Sequence, residues 1–165
     1  MFSVDELHRV MKLDYPRQKL IDWRPIHLQM IELNEFDART VHVFDGFQDY
    51  LNAYATHGIA YTAIVDGRVL GMFGIYQLWS GVGEAWLIPS RHIRQKTVLF
   101  HRAALRFFDY VPKKMKLKRL QITVCSSNGL ADRWANRCYF NREGLLERYG
   151  PEGSDYWMYA RLYDG

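Results

Sequence analysis

Glu84 is the carboxylate in this chain best placed for chemistry. It lies within Val82-Gly-Glu-Ala-Trp-Leu-Ile88, a stretch that reads as a strand closed by Pro89. Strand alternation puts Trp86 and Ile88 on the same side as Glu84. A carboxylate held from water among apolar neighbours becomes a better proton acceptor, so Glu84 suits a general base. The competing assignment is an ion pair with Arg68, Arg91 or another surface charge. A basic stretch follows, Arg91-His-Ile-Arg94-Gln95-Lys96-Thr97-Val98, and it opens onto a helix. A helix N-terminus favours an anion, and Arg94 and Lys96 suit direct phosphate contacts. The alternative is a solvated basic loop. A second basic run, Lys113-Lys114-Met-Lys116-Leu-Lys118-Arg119, reads as a solvated loop, because it has no interleaved aromatic residues or known binding motif. The six histidines show no metal-ligand spacing.

These residues need elements to position them. Ser3 and Glu6 fit a capping box ahead of Val4, Leu7, Val10 and Met11, which predicts an amphipathic helix over 4–13. Residues 1–18 read as an N-terminal extension and 19–165 as one domain. Lys19-Leu-Ile-Asp22 reads as a first strand. Helices are expected over 24–33 and 47–56, the second stopped by Gly58. The turn Asp66-Gly67 joins strands over 59–65 and 68–78 into a hairpin. A long helix is expected over 96–111, with Phe100, Ala103, Ala104, Phe107, Phe108 and Val111 on one apolar face and Pro112 at its end. A strand over 120–125, a helix opened by Asn128, and strands over 145–149 and 156–162 complete the chain. The fold class is α/β: a mixed, mostly antiparallel central sheet with helices on both faces.

The order of elements from Ile59 to Tyr163 carries a family resemblance. So does Asn128-Gly-Leu-Ala131-Asp-Arg-Trp134, continuing to Phe140 and Gly144-Leu-Leu. This half of the chain resembles the second half of the GNAT superfamily of N-acetyltransferases. The resemblance implies a fold that holds acetyl-CoA between two splayed strands. It implies that Leu87 and Ile88, before Pro89, supply backbone donors to the thioester carbonyl, and that Glu84 is the base. Arg94, Gln95, Lys96 and Thr97 then fall at the pyrophosphate, and Asn128 is a structural or cofactor-side contact at its helix start.

Two departures from the family pattern stand out. The family expects Arg/Gln-x-x-Gly-x-Gly/Ala at the start of the long helix, where glycines let backbone amides reach phosphate. No glycine occurs here between Gly83 and Gly129. The family also places a tyrosine general acid four residues after the alanine of Asn-x-x-Ala, where this chain has Ala135. Tyr139, a full helical turn further on, is the candidate substitute. Without it, solvent protonates the leaving thiolate.

Asp132-Arg-Trp-Ala135, Glu143-Gly-Leu-Leu146 and Tyr149-Gly-Pro-Glu-Gly153, followed by Asp155-Tyr156, narrow the resemblance. They are similar to the acetyltransferase-like proteins of tailed bacteriophages and prophages, some of which lie among virion-assembly genes. This implies an alternative: a GNAT-like fold without catalysis, serving as a phage virion or host-interaction protein.

Composition sets the outer limits. The 165 residues suit one core. With 48% hydrophobic and 15% aromatic residues, the chain is globular and not disordered. Eleven Tyr and five Trp exceed what a core this size needs, so some are expected to line a cleft or face a partner. The net charge of +4 favours an anionic ligand and is weak support for nucleic acid. Cys125 and Cys138 make no disulfide framework and read as reduced core residues. No stretch reads as a signal peptide or reaches the ~18 apolar residues of a membrane span, which predicts a soluble cytoplasmic protein. The amine acceptor is not specified by the sequence.

Overall fold

The computed structural model describes residues 2–43 and 45–164. One seven-stranded sheet organises them, in the order β1-β2-β3-β4-β5-β7-β6. The strands are β1 Gln18–Asp22, β2 Gly58–Val65, β3 Arg68–Trp79, β4 Val82–Pro89, β5 Arg119–Cys125, β6 Asn141–Leu146 and β7 Tyr156–Leu162. Every pairing is antiparallel except β4 with β5. The helices are α1 Val4–Met11, α2 Glu35–Val43, α3 Phe47–Thr56, α4 Thr97–Lys114 and α5 Gly129–Arg137. Short 3-10 helices at Pro25–Gln29 and Arg91–Lys96 complete the set.

The β2–β3 turn forms where Asp-Gly requires it: Asp66 and Gly67 both have left-handed φ values, 49° and 78°. Ser3 caps α1, its Oγ accepting from the Glu6 amide at 3.1 Å. The Glu6 carboxylate does not reach back to the cap. It accepts from the Tyr110 hydroxyl at 2.6 Å and ties α1 to α4. Arg106 adds a bond from Nη1 to the Met11 carbonyl at 3.0 Å, satisfying an orphan acceptor at the end of α1. Leu7 and Met11 of α1 belong to the same buried cluster as Ala103, Ala104, Phe107, Phe108 and Val111 of α4.

Three expectations are corrected. The helix over 24–33 is only a 3-10 turn, and α2 stands beyond it, begun by Asn34, whose Oδ1 accepts from the Asp37 amide at 2.8 Å. Pro112 does not end α4 but lies inside it. Proline removes the amide that would have bonded the Phe108 carbonyl four residues back. That carbonyl accepts instead from the buried Tyr163 hydroxyl at 2.9 Å, so the helix continues without an orphan group. The strand expected over 145–149 lies earlier, at Asn141–Leu146, where it pairs with β7.

Two apolar clusters flank the sheet. The larger lies beneath α1 and α4, and the smaller contains Ile31, Leu51, Val69, Met72 and Ile88. Among the described residues, no helix is long and apolar enough to cross a membrane.

Candidate functional site

The sheet forks at Glu84. β4 pairs with β5 only through Val82, Gly83 and Glu84, opposite Arg119, Leu120 and Gln121. Beyond that rung β4 stays on β3 as far as Pro89, and β5 stays on β7 as far as Cys125. The facing edges of Ala85–Pro89 and Ile122–Cys125 therefore carry no ladder. The Ser90 amide bonds the Leu70 carbonyl on β3 at 2.8 Å. By strand alternation the amides of Ile88 and Trp86 share that β3 edge, whereas those of Leu87 and Ala85 face the gap. Leu87 is thus oriented as a backbone donor toward the gap. Ile88 is not: its amide faces β3 and its side chain is buried in the smaller cluster.

A cavity of about 370 Å³ fills the fork. Its walls include Glu84–Pro89 of β4, Ile122–Cys125 of β5, Phe100, Ala103 and Phe107 of α4, Asn128, Ala131 and Trp134 of α5, and Tyr50 and Tyr54 of α3. The chemistry concentrates at Glu84, which is 8% exposed. The Tyr54 hydroxyl donates to its Oε1 at 2.8 Å, and Gln121 Nε2 donates to its Oε2 at 3.0 Å. No ion pair reaches it among the described residues, so the Arg68 and Arg91 pairings do not form. Arg91 pairs with Glu32 at 2.5 Å instead. Two bonds leave acceptor capacity on both carboxylate oxygens.

Tyrosine rings surround this carboxylate. Tyr54 lies 4.5 Å from Tyr50 and stacks on Tyr76 at 4.6 Å, centroid to centroid. Burial pushes the Tyr54 hydroxyl well above its ordinary value, as do its bond with Tyr50 and the charge of Glu84, so it stays protonated and remains a donor. Local sequence pattern marks neither Tyr54 nor Gln121. The only available signal was the number of tyrosines on 47–56.

Two indole donors also line the cavity without a partner: Trp86 Nε1 and Trp134 Nε1 are both buried and unbonded among the described residues. Buried indole N–H groups usually find an acceptor, so these two are exceptions on the cavity wall. The Trp86 ring crosses β3 where Gly74 makes room; a Cβ there would sit 2.9 Å from the ring.

The basic stretch forms the 3-10 turn that feeds α4. Lys96 is the N-cap of α4 and makes no side-chain cap bond, so the first-turn amides of α4 receive no protein cap from it. Lys96 instead bonds Asp66 at 2.9 Å, and Arg17 pairs with the same carboxylate at 3.2 Å. Arg94 is exposed and has no side-chain partner among the described residues. Gln95 and Thr97 are also exposed beside it. Asn128 caps α5, its Oδ1 accepting from the Ala131 amide at 3.1 Å, and it also lines the cavity. Tyr139 is not part of the site. It follows the end of α5 with φ 63°, is 68% exposed, and lies beside Arg161 at 5.8 Å. The left-handed turn that stops the helix carries its ring away from the fork. Ala135, at the position of the expected acid, is fully buried.

No family model matches the sequence, and no curated protein is similar to it. Solved structures are similar in fold. The chain superposes on a probable acetyltransferase with TM-score 0.68 at 18% identity, covering 89% of this chain and 93% of that one. An acetyltransferase of the GNAT family from Bacillus anthracis gives 0.66 at 17% identity over 91% and 97%. The microcin C7 self-immunity acetyltransferase MccE, solved with acetyl-CoA and AMP, gives 0.69 at 12% identity over 90% and 93%. With the forked sheet and α4 following its parting strand, these likenesses establish that the chain has the GNAT acetyltransferase fold.

Proposed function

We propose that this protein is an acetyl-CoA-dependent N-acyltransferase of the GNAT type. The observation that supports this reading best is the fork itself: a buried carboxylate at the last shared rung, with unpaired amides beyond it on β4. The apolar gap suits the thioester arm, and the start of α4, where Lys96 makes no side-chain cap and Arg94 is exposed, suits its phosphates. Bound there, acetyl-CoA would supply the activated acyl group.

The chain's own residues then divide the work. Leu87 and Ala85 amides, fixed on β4, polarise a carbonyl in the gap. Glu84 accepts a proton from the acceptor nitrogen, while Tyr54 and Gln121 hold its two oxygens in place. Tyr54, held protonated, positions the base and is not itself a second base. The Trp134 indole N–H is buried and is too weak an acid to release its proton. Protonation of the leaving thiolate therefore falls to solvent. The phosphate grip rests on side chains where the family uses glycine amides, with Arg94 free and Lys96 shared with Asp66.

Ligand binding tests the reading. At about 100 times its dissociation constant, acetyl-CoA should stabilise the fold by roughly 2.7 kcal/mol. No thermal shift and no heat of binding at millimolar cofactor would remove the enzyme reading. That result would favour the second one, a GNAT fold without catalysis acting as a phage virion or host-interaction protein. The glycine-free α4 start and Ala135 at the acid position support that alternative, and its phage origin rests on sequence motifs alone.

A further inference from the structure

Resting on the acyl-transfer reading, we propose that the acceptor is a slender aliphatic diamine, with one nitrogen reacting at Glu84 and the other held as an ammonium at Asp37. The cavity wall carries two carboxylates, Glu84 and Asp37, and one cation, Lys19. Lys19 lies on β1, three strands from β4 and so about 14 Å from it at ordinary strand spacing. Among the described residues, the fork therefore has carboxyl groups on its wall and no cation beside it. An acceptor bearing its own carboxylate or phosphate would meet no cation there and would face two carboxyl groups.

Asp37 lies in the first turn of α2, and Asn34 Nδ2 donates to its Oδ2 at 2.5 Å. No cation pairs with Asp37 among the described residues, and burial pushes its carboxyl above the ordinary range. A ligand ammonium would supply the missing counter-charge. The space around the two carboxylates is aromatic. Burial pushes the Tyr50, Tyr149 and Tyr156 hydroxyls above their ordinary value, so they stay protonated. Tyr149 and Tyr156 rings lie 5.4 Å apart. Glu84 lies on β4 and Asp37 on α2, so the two carboxylates enter the cavity wall from different elements. Tyrosine rings accept ammonium groups and the methylenes between them.

The chemistry balances with these groups. The free amine attacks the thioester carbonyl, and the C–N bond forms as the C–S bond breaks. The surplus nitrogen proton passes to Glu84 and on to solvent, and the thiolate takes a proton from solvent. The distal ammonium at Asp37 takes no part.

The test compares 1,5-diaminopentane, pentylamine and lysine, which share one chain length. Binding to the protein alone is measured by calorimetry, and acyl transfer by thiol release with acetyl-CoA. The diamine should bind at least about tenfold more tightly than the other two, a difference of about 1.4 kcal/mol. Asp37→Asn should remove that advantage and leave acetyl-CoA binding unchanged. Equal affinities, a preference for lysine, or an advantage that survives Asp37→Asn would overturn the inference. The comparison among ligands on the unaltered protein decides it even if the variant folds poorly. Diamine binding without acetyl-CoA binding would fell the acyl-transfer reading and the acceptor role with it. Acyl transfer without diamine preference would fell this inference alone.

Discussion

The Tyr54 hydroxyl reaches Glu84 Oε1 at 2.8 Å from a helix thirty residues earlier in the chain. This bond fixes one oxygen of the proposed base. A hydrogen bond to a charged group contributes about 1.5–3 kcal/mol. Tyr54→Phe should therefore lower kcat about 10- to 100-fold, with acetyl-CoA affinity retained. Calorimetry and thiol-release kinetics on the same preparation would separate the two effects. An unchanged kcat would reduce Tyr54 to a packing residue.

Glu84→Gln keeps the shape and removes the proposed base. Turnover should drop about 10²–10⁴-fold with cofactor binding nearly unchanged. If the variant turns over normally, proton transfer lies elsewhere. Loss of cofactor binding as well would point to collapse of the fork.

The two basic side chains at α4 should differ. Arg94 has no protein partner, whereas Lys96 already bonds Asp66. Arg94→Ala should weaken acetyl-CoA binding more than Lys96→Ala does. Titrations at low and high salt would show the Arg94 contribution shrinking as salt screens it. Equal, negligible effects would move the phosphates away from this turn.

Tyr163 supplies the donor that Pro112 denies to the Phe108 carbonyl. Tyr163→Phe should cost about 1–3 kcal/mol, because a buried acceptor is left unmet. Chemical denaturation would read this directly. A loss under 0.5 kcal/mol would mean that water or a shift in α4 satisfies the carbonyl.

Asp132 gives a pH prediction. The Tyr159 hydroxyl bonds it, and Arg142 pairs with it at 2.5 Å, so its carboxyl is held below the ordinary value of 3.8. A depressed carboxylate stabilises the fold above its unfolded value and loses that contribution as pH falls through the folded one. Asp132→Asn should therefore be less stable than the parent at pH 7, with the gap closing as pH drops below about 3.8. Melting curves across pH 2–7 would show it, and a gap independent of pH would assign the effect to packing.

The sequence by itself determined the local elements whose signals are short-range. Asp66-Gly67 specifies its turn because both positions need left-handed backbone. The α4 face is written in its three- and four-residue spacing, and Ser3 and Asn128 announce their helices through side-chain oxygens that meet backbone amides. Those signals, in their order, carried the fold class, and strand alternation placed Glu84 and Leu87. Tertiary structure decided the rest. Whether Pro112 ends α4 depends on a tyrosine fifty-one residues later, which local pattern cannot reveal. Lys96 looks available until folding brings Asp66 to it, and Tyr139 looks like an acid until the turn after α5 faces it outward. The partners of Glu84, Tyr54 and Gln121, come from two distant elements that meet only where β4 and β5 part. A fork in a sheet is a long-range event, so the sequence could point to Glu84 but not to what holds it.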